Sequence, residues 1–197
     1  SHQEIDDLLN AAAEESLLAS ALITLLYYGG YRVGSVLNAD IRDLGWEQGD
    51  RTIKLTLKRG KERRFVIDEP AAVALEAYQS KRGTLGPDEP LFVKVRGGRL
   101  DESTAWRLVR KVAKDAGIKA WEQMNNHTLR HAHITHARDL GAEVADISDG
   151  VGHSDIRTTL RYDRARNRRD RRPAKLLVER RRQYLAAQSV DSQEDEA

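Results

Sequence analysis

The stretch HTLRHAHITHARDLGAEVADISDGVGHSDIRTTLRY, residues 127–162, holds three helical patterns separated by glycine-bearing turns. Asn125-Asn126 marks a loop ahead of it, and the apolar spacing predicts a helix over 128–140 that Gly141 ends. A second helix is expected over 143–151. Gly152-His153-Ser154 reads as a turn, and Asp155 opens a third helix carrying Tyr162. Several polar residues here sit where packing does not ask for them. His127 and Arg130 stand at i and i+3 and therefore share one helix face. His153 lies in the glycine-flanked turn, and Tyr162 follows nine residues later.

Upstream, apolar residues at helical spacing predict an amphipathic helix over 5–13. Ser16 is placed to cap a helix over 17–28 that is apolar nearly all round and so belongs inside, with Gly29-Gly30 ending it. Arg32 follows the break, and a short helix is expected over 33–37. Three strands are expected over 41–44, 52–57 and 63–67. In the second, Ile53, Leu55 and Leu57 alternate with Lys54, Thr56 and Lys58, the period of a half-buried strand. Lys58-Arg59-Gly60-Lys61 is then the turn to the next strand, with its cations at a hairpin tip. Pro70 starts a helix to about 81, residues 91–93 read as a short strand, and Asp101 or Ser103 caps a helix to about 116. Downstream, 167–173 reads as a charged linker, and 174–187 as an amphipathic helix with Leu176, Leu177 and Tyr184 near one stripe. Residues 189–197 read as a disordered acidic tail. The fold class is α+β, mostly helical, with a small three-stranded antiparallel sheet.

Hydrophobic residues make up 40% and charged residues 32% of the 197, the profile of a globular protein with room for one core. No apolar run is long enough to span a bilayer, no signal peptide is visible, and without cysteine there are neither disulfides nor thiol chemistry. The net charge of +2 says little, but its distribution says more. Residues 155–182 carry twelve Lys or Arg against four Asp or Glu, while the first fifteen residues and the last seven are acidic. A basic segment in a balanced chain points to a polyanionic partner or to a solvated helix face.

Taken singly, Arg32, Lys58, His127, Arg130, His153 and Tyr162 each have a plain structural reading, as surface charge, cap, turn residue or core. Together they form a set suited to phosphoryl transfer. Arginine's planar fork donates two parallel hydrogen bonds to phosphate oxygens. A tyrosine hydroxyl, with an ordinary pKa near ~10, needs a base or neighbouring cations to attack at neutral pH. A lysine on a hairpin can protonate a leaving oxygen, and guanidiniums neutralise the phosphate without a metal.

The segments Gly30-Tyr31-Arg32-Val33, Lys58-Arg59-Gly60-Lys61-Glu62-Arg63, His127-Thr128-Leu129-Arg130-His131 and Gly152-His153-Ser154 through Arg161-Tyr162 resemble, in order and spacing, the signature of the tyrosine recombinase (phage integrase) family. The resemblance implies the catalytic-domain fold of that family over 1–173, with 174–188 as a C-terminal helix able to dock on a neighbouring protomer. It implies that Tyr162 is the nucleophile forming a 3′-phosphotyrosyl link. Arg32 and Arg130 would clamp the phosphate, Lys58 would act as general acid, His127 would assist proton transfer and His153 would donate a hydrogen bond. Arg59, Lys61, Arg63, Arg157, Arg161 and Arg164 are expected to contact DNA. No cofactor is expected. The expected partner is double-stranded DNA, bound as a homotetramer on paired sites, with the isolated fragment monomeric, cytoplasmic and nucleoid-associated. The sequence departs from the family at Ser35, where members usually carry an acidic residue, and it is expected to be a fragment that begins at the first helix of the catalytic domain, the usual N-terminal DNA-clasping domain not being among its residues. The residues also admit a type IB topoisomerase or a non-catalytic DNA-binding module. A metal hydrolase built on His127, His131, His133 and His136 is disfavoured by Arg130 between the first two.

Overall fold

The computed structural model describes residues 1–125, 127–152 and 173–194; His153, Arg157, Arg161, Tyr162 and Arg164 and the linker before Pro173 lie outside them. Helix α1 (His2–Glu15) starts with a capping box between Ser1 and Glu4 and buries Ile5, Leu8, Leu9 and Ala12. Ser16 both ends α1 and caps α2 (Leu17–Gly29), accepting a bond from the Ala19 amide at 3.1 Å. As its all-round apolar pattern requires, α2 is the central element, with Leu22, Ile23, Leu25, Tyr27 and Tyr28 at most 2% exposed. The five-residue α3 (Val33–Leu37) follows, with Arg32 as its N-cap.

The sheet is β1 (Leu44–Glu47), β2 (Asp50–Thr56) and β3 (Glu62–Val66), antiparallel in that order. Its register places Leu44 opposite Ile53 and Ile53 opposite Phe65, so one face is apolar and rests on the core. Around α2 stand α4 (Glu69–Arg82), α5 (Glu102–Asp115), α6 (Thr128–Asp139), α7 (Val144–Gly150) and α8 (Pro173–Glu194). Asp101 is the α5 cap, accepting from the Thr104 amide at 2.8 Å.

Three local expectations shift. Residues 41–43 form a 3-10 turn instead of the start of a strand. Asp43 accepts the Asp40 amide at 2.9 Å, the local side-chain bonding with which Asp competes against a ladder. The 91–93 segment is buried but makes only the isolated bridges Asp40↔Pro90 and Val93↔Arg99, because Leu91 and Leu100 bond to Ala39 and Phe92 across loops. The tail expected to lack structure from 189 is helical to Glu194. Once α8 is anchored by packing, adding residues to it is cheap. Among the described residues no helix is long and apolar enough to cross a membrane.

Candidate active site

Arg130 is the pivot. It projects from the first turn of α6, is 6% exposed, and donates through Nη1 to the Gly30 carbonyl at 2.6 Å and the Val151 carbonyl at 2.9 Å. Those carbonyls close α2 and α7, so one guanidinium ties three helix ends together. Its Nη2 is buried with no hydrogen-bond partner among the described residues. A buried donor left unmatched costs stability unless a ligand completes it. Burial, and then the nearby positive charge of Arg32, push the Arg130 pKa down to about 10. A buried guanidinium with one open nitrogen, in the field of a second cation, is suited to receive an anion.

Gly30 shows why the break must be glycine. Its φ is +58°, and a Cβ there would lie 2.6 Å from His133 Cδ2 and 2.7 Å from Val151 Cγ1. Gly152, with φ +66°, is pressed against Leu57 and Phe65, where a Cβ would sit 3.1–3.3 Å from their side chains. Gly152 therefore lies directly against the β2–β3 hairpin.

That hairpin carries Lys58 on a 3-10 turn (Lys58–Gly60), exposed, with Arg59 at φ +67° and Gly60 at φ +72°. The Leu57 amide donates to the Lys61 carbonyl at 2.6 Å, and Ser35 Oγ donates to the Thr56 carbonyl at 2.7 Å, linking α3 to the end of β2. His127 is the α6 N-cap residue, but its side chain makes no capping bond. Asn125 does that work: its Oδ1 accepts the His127 amide at 3.0 Å and its own amide donates to Thr128 Oγ1. The His127 ring is thus left exposed, 6.2 Å from that of His131.

The charge of Arg32 is felt at Arg130, and the end of β2 that leads to Lys58 packs against Gly152, the residue before His153 in the sequence. Arg59 and Lys61 are exposed on that hairpin, whereas Arg63 is engaged by Asp149 at 2.7 Å and lies over Phe65. His133 and His136 are buried apart from His127 and His131, and among the described residues no three His, Asp or Glu side chains assemble as metal ligands. Sequence reasoning missed the two carbonyls that seat Arg130, the Ser35–Thr56 bond and His133 beneath Gly30. Only Gly30 carried a visible signal, as a helix stop two residues before Arg32.

A mostly helical domain carrying one small three-stranded antiparallel sheet, with this order of elements, has the catalytic-domain fold of the tyrosine recombinases. The crystal structure of XerA recombinase matches it with a TM-score of 0.68 at 28% identity, over 93% of this chain and 62% of that one. The XerH site-specific recombinase bound to difH substrate has a TM-score of 0.62 at 20% identity, over 76% of this chain and 45% of that one. The phage integrase family model matches residues 1–169, and the chain belongs to that family. Tyrosine recombinase XerC of Bifidobacterium longum (strain DJO10A) is 35% identical over 159 residues, 75% of this chain and 43% of that protein. The chain therefore spans under half the length of that relative.

Proposed function

We propose that this chain is the catalytic part of a site-specific DNA recombinase, which cleaves and rejoins strands through a 3′-phosphotyrosyl intermediate on Tyr162 without metal or ATP. The observation that carries this reading is Arg130: buried, held by two carbonyls through Nη1, and presenting an unmatched Nη2 beside Arg32. The open Nη2 can donate to a non-bridging oxygen of a phosphodiester, whose charge grows as phosphorus becomes five-coordinate.

In the first step the Tyr162 oxygen bonds to phosphorus and gives up its proton, with His127 assisting. The bond to the 5′ oxygen breaks, and that oxygen takes a proton from Lys58. His153 adds a donor to the phosphate. The phosphotyrosyl link keeps the phosphodiester's energy, so attack by a 5′ hydroxyl reverses the step. Arg59 and Lys61, with Arg157, Arg161 and Arg164 of the basic segment, hold the backbone of double-stranded DNA; Arg63 contributes chiefly to fastening the hairpin to α7. Strand exchange between paired sites takes four copies, the catalytic domain being residues 1–173 and the last helix the element available to a neighbour.

The test uses nicked suicide duplexes of random sequence, from which SDS-stable protein–DNA adducts are captured and the modified residue mapped by mass spectrometry. The expected adduct is on Tyr162, persists in EDTA and is absent from Tyr162→Phe, which still binds DNA. An adduct on any other residue overturns the assignment of the nucleophile. Relaxation of a plasmid without exchange between paired sites would favour a topoisomerase.

A further inference from the structure

We infer that Ser35 is a positioning residue that acts through Lys58: its hydroxyl holds the end of β2 in place and so sets the hairpin from which the leaving oxygen is protonated. This rests on the reading of Lys58 as general acid given above.

Ser35 lies three residues after Arg32 on α3, and its Oγ donates to the Thr56 carbonyl at 2.7 Å. Thr56 is the last residue of β2, two before Lys58. Beyond it the ladder stops, and the hairpin is held by the Leu57–Lys61 and Gly60–Leu57 backbone bonds, with Arg59 in the left-handed region. A non-glycine residue there costs roughly 1 kcal/mol, so the turn needs outside support to keep one geometry. Lys58 is exposed and, among the described residues, makes no ion pair that would hold its side chain. Its reach is fixed by the backbone beneath it. The Ser35 bond joins that backbone to the short helix that begins at Arg32, so the phosphate clamp and the proton donor share one rigid link.

The chemistry of the link explains the residue. The acceptor is a carbonyl, and only a donor can meet it. A hydroxyl donates, whereas an ionised carboxylate at the same position accepts only and would repel the Thr56 oxygen. Serine at 35 is therefore matched to this hairpin and is not a damaged version of an acidic site.

The proposal separates proton donation from phosphate binding, and so does a sulfur substrate. With an ordinary bridging oxygen, cleavage breaks P–O5′ and the oxygen takes the Lys58 proton. With a 5′-bridging sulfur, P–S breaks and the thiolate departs without one. The probe is a cleavable duplex recovered from the random pool, made with either atom at the scissile position and used in single-turnover cleavage by the full chain. Ser35→Ala is expected to slow cleavage of the oxygen duplex by about ten-fold or more, a fraction of what general-acid catalysis supplies, and to cleave the sulfur duplex at close to the parent rate. Ser35→Thr, which keeps the hydroxyl, should match the parent on both. If Lys58→Ala is rescued by sulfur but Ser35→Ala is not, the inference about Ser35 fails while the general-acid reading stands. If Lys58→Ala is not rescued either, the general-acid reading itself fails. A measurement without DNA closes the case: in Ser35→Ala the Leu57 and Gly60 amides should exchange hydrogen faster than in the parent or in Ser35→Thr. Unchanged exchange overturns the link.

Discussion

His133 is 2% exposed, and its Nδ1 lies 2.8 Å from the Tyr27 carbonyl. A carbonyl only accepts, so Nδ1 carries the hydrogen and Nε2 is bare, buried and without a partner among the described residues. Desolvation outweighs the bond to Tyr27, and Arg130 and His136 add repulsion, so the pKa falls to about 4. The unfolded chain binds a proton at this residue near ~6.5, where the folded protein does not. Stability from neutral His133 is complete above that value and is lost as pH falls from there to about 4. The shift corresponds to a loss on the order of 3 kcal/mol across the window. His136, also depressed to about 4 by burial and then by His2, adds to the same slope. Urea unfolding of the parent and of His133→Phe at pH 7 and at pH 4.5 isolates the first contribution: the variant should lose less stability between the two. Equal losses would mean that His133 is protonated without cost. In the sequence this residue looked like one of four clustered histidines. Spacing identifies which residues share a helix face, but not which of them the rest of the chain covers, so its place under Gly30 was not legible. That His127 and Arg130 stand together at the start of one helix was legible, because spacing alone carries it.

The helix ends make the site, and their glycines are the elements' most sensitive points. Gly30→Ala combines a strained φ of +58° with a Cβ 2.6 Å from the buried His133 ring and 2.7 Å from Val151. Left-handed strain of about 1 kcal/mol and overpacking of about 1–3 kcal/mol should add to roughly 3 kcal/mol of lost stability. Gly117→Ala is the control, since its φ is +71° but nothing lies within 4 Å of the added carbon. It should show only the strain, about 1 kcal/mol. Equal losses on urea unfolding would show that the close approach between α2 and α6 is not what demands glycine. The elements were legible wherever a local signal ends them: Ser16 and Asp101 as caps, Gly30 as a stop, and the alternation of Ile53 and Leu55 in β2. The expectation shifted where tertiary pairing decides, as at 41–43 and 91–93. There Ile41 packs partly, and Leu91 and Phe92 fully, against the core, with no ladder to give them a period.

At the scale of the molecule the basic excess of the C-terminal half divides in two. Cations of α8 are engaged within the chain: Arg180 and Arg181 both bind Asp6, Arg181 also bonds Asn10, Arg182 meets Glu69 at the surface, and Gln3 bonds the Tyr184 hydroxyl at 2.9 Å. Leu177 and Val178 join the main core. Asp6 of the acidic first helix is therefore the seat of Arg180 and Arg181 of the last one, and these two cations are accounted for without invoking DNA. Asp6 is fully buried, and the two arginines are only 17% and 11% exposed. Removing one member of such a set leaves its partners desolvated and unpaired, which typically costs about 3–5 kcal/mol. Asp6→Ala should thus lose about 3 kcal/mol. In a cycle with Arg181→Ala the double variant should lose clearly less than the sum of the singles, because both remove the same interaction. Hydrogen exchange should locate the loss, with amides of residues 177–186 accelerated more than those of α2. For α8 to serve a neighbouring copy it must first leave this seat, so the seat's strength sets the cost of that exchange. Strict additivity in the cycle, with exchange raised equally in α2 and α8, would show instead that Asp6 supports the core at large and does not fasten the last helix.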